Sequence, residues 1–176
     1  LSPEWLTAWR ACHSDYQIVV PHAELLLAVR GRVLDQGDRP LGEFSHAGWL
    51  DAEIAGRTVR AVVVDIASNP MISRREPLSE LGEWLHCHNK VPQVVMGDFN
   101  TPDESVWFAP FRPEFRETFR TAGRGYAPTW PWPAPVLKLD HIWVNRQVDV
   151  RRAWQTSTWH SDHRPQWAEL APATSR

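Results

Sequence analysis

The sequence predicts a layered α/β sandwich folded as one domain, and three observations carry that reading. Short apolar runs bounded by turn residues outnumber segments with helical spacing. The run Val59-Arg60-Ala61-Val62-Val63-Val64 is rich in β-branched residues, as a buried central strand is. Strands follow one another with few helices between them, so the sheet is mostly antiparallel rather than doubly wound. The 176 residues, 43% apolar and 23% charged, suffice for one hydrophobic core without disulfide support.

In chain order, Trp5 to Cys12 places Trp5, Leu6, Trp9 and Cys12 near helical spacing and reads as the end of a helix. Gln17 to Val20 and Glu24 to Val29 read as strands, the second a nearly continuous apolar run. Gly48 to Ile54 and Thr58 to Ile66 flank the turn Ala55-Gly56-Arg57 and read as a hairpin. Pro77 to His88 carries Leu78, Leu81 and Leu85 at helical spacing, with Pro77 tolerated in the first turn and Asn89 as a stop. Gln93 to Met96 is a short strand that runs into Gly97-Asp98-Phe99-Asn100. Ser105 to Phe111 and Pro113 to Ala122 read as two helical pieces ending at Gly123. Lys138 to Val144, Val148 to Trp154 and Gln166 to Leu170 are the closing strands.

Bulk composition excludes several classes. Nineteen Lys and Arg against 21 Asp and Glu leave a formal charge of -2, so no basic excess exists to hold a long nucleic acid by counterion release. Seventeen of the nineteen bases are Arg, which suits bidentate contacts to phosphate or carboxylate and is also what a GC-rich genome produces. Cys12 and Cys87 give neither a disulfide framework nor a metal-ligand spacing. His86-Cys87-His88 cannot chelate one ion from a helix, where adjacent residues point about 100° apart. No apolar run reaches the ~20 residues that span a bilayer, and Leu1 to Arg10 lacks the pattern of a signal peptide. Eleven tryptophans are the one odd number; most are expected to pack in the core.

Three short segments concentrate polar groups at strand ends. In Val94-Val95-Met96-Gly97-Asp98-Phe99-Asn100, alternation turns Asp98 and Asn100 the same way while Phe99 anchors inward. The same residues also suit an ordinary turn. In Leu137-Lys138-Leu139-Asp140-His141-Ile142, an acid inside an apolar strand must be paired or face a cleft; a structural Asp capped by backbone amides is the other reading. Ser161-Asp162-His163-Arg164-Pro165 sets a carboxylate beside an imidazole ahead of an apolar strand, or is a third polar turn.

Together, in this order, the Gly-Asp-Phe-Asn, Leu-Asp-His-Ile and Ser-Asp-His-Arg-Pro segments resemble hallmark segments of the endonuclease/exonuclease/phosphatase superfamily, to which deoxyribonuclease I belongs. The resemblance covers Leu25 to the C-terminus. It implies a four-layered α/β sandwich of deoxyribonuclease I type and a phosphoesterase dependent on Mg²⁺ or Mn²⁺. By position, Asp98 would deprotonate or place the attacking water and share in metal binding. Asn100 would hold a phosphate oxygen or the nucleophile, Asp140 would orient His163, and Asp162 would belong to the metal group. A dication would also screen a phosphate from this carboxylate-rich pocket.

Two departures qualify the resemblance. The family opens with a strand bearing Asn and a strand ending in Gln-Glu, whose Glu is the central metal ligand; Glu4 and Glu24, the acids before Leu25 of that type, do not fit it. Either the chain lacks its N-terminal part, consistent with a first residue of Leu, or it is an inactive family member acting as a binding domain. Second, where relatives place His or Tyr, this chain has Asp65, which would ligate a second cation, pair with Arg74 or Arg75, or cap a turn, while Asn69 supplies the missing donor. Trp130, in the proline-stiffened loop Thr129-Trp130-Pro131-Trp132-Pro133, is the candidate substrate wall.

The expected partner is a phosphate ester, from a nucleic acid or a phospholipid headgroup; no protein partner is indicated. The expected setting is a bacterial cytoplasm or a membrane reached through a missing N-terminal anchor. An unrelated metal-free domain with three polar turns stays open only if Asp98, Asp140 and His163 lie far apart.

Overall fold

The computed structural model describes residues 3–23 and 25–173; Glu24 lies outside the described residues. A six-stranded sheet dominates. Its strands are β3 (Arg32–Pro40), β4 (His46–Ile54), β5 (Arg57–Asp65), β6 (Gln93–Asp98), β7 (Phe115–Glu117) and β8 (Asp140–Asn145), in the order β3-β4-β5-β6-β8-β7. Only the β5–β6 pair is parallel. The antiparallel pair β1 (Gln17–His22) and β2 (Leu25–Val29) packs on β3, β4 and β5, and a second pair, β9 (Val148–Gln155) and β10 (Gln166–Pro172), meets β8. The helices are α1 (Pro3–Cys12), α2 (Arg75–Cys87) and α3 (Thr118–Ala122). No described helix is long and apolar enough to cross a membrane.

Alternation along the central strands builds two cores. Val62, Val64 and Val95 face α2, where Leu78, Leu81 and Leu85 form a stripe that is 0% exposed, with Phe99, Phe108 and Phe111 beside them. Each such leucine contributes about 1.5–3 kcal/mol by burial. Ala61, Val63 and Met96 turn to the opposite face and meet Val19, Leu27, Leu50 and Ala52. A strand covered on both faces needs an apolar residue at nearly every position, which is why 59–64 reads as it does. The β4–β5 turn is tight, with Ala55 and Gly56 both at positive φ between the paired Ile54 and Arg57.

One strand was not anticipated, and three expectations are corrected. Strand β3 carries no sequence signal because it is a mostly exposed edge, so nothing selects for alternation. Within 113–122 only α3 is helical; Phe115 and Glu117 both face inward and pair with β8 as β7. The 105–111 piece shrinks to a 3₁₀ turn, Val106–Phe108. The tryptophans are also not mainly core. Trp143 is buried and Trp49 and Trp84 pack partly against the core, but Trp5, Trp107, Trp159 and Trp167 are exposed. Arg60 lies over the Trp49 and Trp84 rings, and Trp154 stacks on Trp167 across β9–β10.

The close approach of β6 to β5 turns on Gly97. Its φ is +137°, and a Cβ there would sit 2.1 Å from the Val64 carbonyl oxygen. Gly97→Ala is therefore expected to destabilise the fold by about 3 kcal/mol or more in urea denaturation. An unchanged midpoint would show that β6 can retreat from β5 at no cost.

Candidate active site

Register assembles the site. The Cα partners are His46 with Asp65, Asp65 with Asp98, and Asp98 with Asp140. Directly opposed residues project to one face, so four polar side chains cross the sheet in a row at strand spacing, about 4.8 Å. The β9–β10 loop brings His163 to the end of that row. Its Nδ1 lies 2.8 Å from Asp140 Oδ2, and its Nε2 lies 3.9 Å from Asp98 Oδ2. A carboxylate at Nδ1 fixes the tautomer with the proton there, and Nε2 points toward Asp98 across a gap too long for a hydrogen bond.

Asn100 orders the other side of Asp98. Its backbone N–H donates to Asp98 Oδ1 at 2.8 Å, and its Nδ2 donates to Asp98 Oδ2 at 3.0 Å and to the Ile66 carbonyl at 2.8 Å. These bonds hold Asn100 at φ 44°, left-handed space that Asn tolerates better than most residues. Phe99 between them is 0% exposed, as the alternation predicts.

Electrostatics follow from this crowding. Burial pushes the Asp98 carboxyl up to about 6, assisted by the charges of Asp140 and Asp65 and opposed by the Asn100 N–H and His163. Burial acts to lower the His163 pKa, but its hydrogen bond to Asp140 and the charges of Asp140, Asp98 and Asp162 outweigh that and raise it. An acid displaced toward neutrality beside an imidazole displaced upward is the pairing acid–base sites use.

The remaining candidates are placed less centrally. Asp162 does not join the cluster; its Oδ2 accepts from Trp130 Nε1 at 3.0 Å. That bond sets the Trp130 ring 6.5 Å, centroid to centroid, from His163. Asn69 stands exposed in the loop after β5, where its Oδ1 closes a turn on Met71 N at 2.9 Å. Two residues that no motif marks also belong here. His46 ends the polar row, with the His22 ring stacked on it at 4.0 Å; counting the hairpin register back from Gly56 would have found it. Arg74 is buried, donates to the Asn69 and Ile72 carbonyls, and feels the charge of Asp98. An apolar hollow lined by Ile54, Val59, Val94 and Leu170 lies by the β4–β5 turn, the far end of the sheet from Asp98, and holds no acid–base pair.

One carboxylate oxygen each from Asp98 and Asp140 and one nitrogen of His163 lie within 4.8 Å of one another, close enough to hold a cation. A hard dication takes oxygen ligands, often one or two carboxylates completed by water and substrate phosphate. Asp98 and Asp140 fit that donor set, and their mutual repulsion is what a cation relieves. His163 is engaged by Asp140 and is a poorer donor for such an ion.

A family model described as the Endonuclease/Exonuclease/phosphatase family matches residues 26–163. The chain belongs to this family. The match spans Asp65, Asp98, Asn100, Asp140 and His163, and members of the family are hydrolases of phosphate esters that generally use a divalent metal. The fold agrees. An endonuclease/exonuclease/phosphatase from Bacteroides vulgatus superposes with a TM-score of 0.80 at 21% identity, covering 97% of this chain and 81% of that one. The Bacteroides thetaiotaomicron mannosyl-6-phosphatase Bt3783 gives 0.75 at 14% identity over 96% of this chain and 81% of that one. The human Nocturnin catalytic domain, with bound sulfate anion, gives 0.74 at 16% identity over 97% and 78%. No curated protein sequence matches the chain.

The raised Asp98 pKa has a stability consequence with a definite sign. Asp98 binds its proton more tightly folded than unfolded, so its contribution is full below the unfolded value of 3.8 and is lost as pH rises through about 6. Asp98→Asn is expected to raise Tm relative to wild type at pH ~8 and to lose that advantage at pH ~4. A variant less stable than wild type at pH ~8 would show that the Asn100 and His163 contacts outweigh burial.

Proposed function

We propose that the chain hydrolyses phosphate esters by in-line attack of water on phosphorus. The observation that carries this reading is the Asp140–His163 pair facing Asp98 across the 3.9 Å gap. Asp98, with a pKa near neutrality, takes the proton of the attacking water. The Asn100 amide N–H groups are spent on Asp98 and Ile66, so Asn100 acts by aiming Asp98, and its Oδ1 is the atom available to the water. His163, its pKa raised by Asp140, presents Nε2–H to a phosphoryl oxygen as negative charge develops there.

A divalent cation, Mg²⁺ or Mn²⁺, held by Asp98 and Asp140 would supply charge neutralisation for an anionic ester. Trp130 stands beside His163 as a wall for the ester's organic part. Structural neighbours include a named phosphatase and the Nocturnin catalytic domain with sulfate, an anion of phosphate's shape. The net charge of -2 favours a compact ester, a short nucleic acid or a phospholipid headgroup, over a long duplex.

Asp98→Asn and His163→Ala are each expected to lower kcat on bis-p-nitrophenyl phosphate by about 10²–10⁴-fold. EDTA should abolish the wild-type rate and Mg²⁺ or Mn²⁺ should restore it. Turnover unchanged in both variants, or absent from wild type with either cation, would overturn the hydrolase reading and leave a binding domain.

A further inference from the structure

The Asp140–His163 pair joins side chains 23 positions apart, from β8 and the β9–β10 loop. Its geometry therefore depends on whatever ties those two segments to each other. Thr129 touches both. Thr129, in the loop before β8, is 0% exposed. Its Oγ1 accepts from the backbone N–H of Leu139 at 3.0 Å and of Asp140 itself at 3.3 Å. Its carbonyl accepts from the N–H of Arg164, the neighbour of His163, at 2.9 Å, while its own N–H donates to the Leu137 carbonyl at 2.7 Å.

We propose that Thr129 is a positioning residue, whose hydroxyl sets the Asp140 carboxylate against His163. This rests on the hydrolase reading above. The hydroxyl oxygen has two lone pairs, and both are directed at amides that start β8. Leu139 is buried, so its N–H has no water to turn to if that oxygen is removed. Gln166, at the start of β10, also donates through Nε2 to the Asp140 carbonyl, and the loop that carries Thr129 is tied to the 162–164 segment again nearby. Trp130 Nε1 donates to Asp162 Oδ2, Trp132 N donates to the Asp162 carbonyl at 2.7 Å, and Arg164 Nη1 donates to the Tyr126 and Pro128 carbonyls. Thr129 differs from these ties in acting on the reacting residue's own amide. With the hydroxyl gone, the start of β8 keeps its pairing with β6 and its Gln166 contact but loses the tie on its Thr129 side, while the 162–164 segment keeps its other anchors. The two halves of the pair then separate, and displacement of a reacting group by about 1 Å can cost on the order of 10²-fold in rate.

The test compares Thr129→Val, which keeps the shape and deletes the oxygen, with Thr129→Ser, which keeps the oxygen and deletes a methyl. Both are assayed on bis-p-nitrophenyl phosphate, with circular dichroism to establish that each is folded. Thr129→Val is expected to lose about ten- to a hundredfold in kcat with KM little changed, and Thr129→Ser to stay within about threefold of wild type. The imidazole Nδ1–H resonance of His163, shifted downfield by its bond to Asp140, should weaken or move in Val and persist in Ser. Folded Thr129→Val with wild-type kcat, or Ser and Val falling equally, would overturn the proposal. If Val does not fold, Thr129→Cys takes its place. Its weak sulfur acceptor should lower kcat as Val would, and wild-type kcat in Cys also sinks the idea. Asp98→Asn, run in parallel, separates the two readings: if it too keeps full activity, the hydrolase assignment fails rather than the role of Thr129.

Discussion

Pairing in the middle of the main sheet is the constraint on which the rest depends. β6 runs parallel to β5 on one side and antiparallel to β8 on the other, and both registers bring an aspartate level with Asp98. Side chains alternate with a period of two, so a slip of one residue would turn Asp98 toward α2 and the phenylalanines. The apolar stripes on both faces forbid that slip, because Val62, Val64 and Val95 would have to leave their core at the same time. Packing far from the chemistry thus fixes the chemistry's alignment. The Phe99 ring, locked beside Phe108 and Phe111, holds the chain at the point where it leaves β6.

What this alignment creates is electrostatically unfavourable by itself. Three carboxylates stand on three adjacent strands, and Asp98 in the middle is partly removed from water. The chain answers with short-range donors: the Asn100 amide groups on Asp98 and the His163 imidazole on Asp140. Arg74 adds a buried positive charge behind the loop after β5. The residual strain, in the Asp98 pKa and in the left-handed Asn100, sits where a substrate or cation would relieve it. Residues held against their own preference in this way are what folds tolerate where a site is built.

Much of this was legible in the sequence, and the parts that were not share a cause. The central strands, α2 and the three polar segments announce themselves because burial on a regular face imposes a period, and because Asp inside an apolar run needs a reason. Asp98, Asn100, Asp140 and His163 do come together, which removes the reading of three unrelated polar turns. Strand β3 was invisible because an edge strand exposed along most of its length obeys no period. β7 was too short to show one, and its Glu117 serves two ends at once, capping α3 through Arg120 N and pairing with the buried Lys138. Asp162, expected in the metal group, was placed there by the segment and not by any contact the sequence could show. Adjacency to His163 suggested a shared task, but consecutive side chains point apart, and only the fold shows that this one reaches for Trp130.

The distribution of the tryptophans carries over into how the protein can be watched. Indole emission shifts to longer wavelength in water, so the exposed Trp5, Trp107, Trp159 and Trp167 give the native spectrum a red component, while Trp143 and the half-buried indoles supply the part that unfolding shifts. Protonated imidazole quenches a neighbouring indole, and Trp130 lies beside His163. Trp130 thus stands where it can report the charge of His163 optically, against ten other indoles.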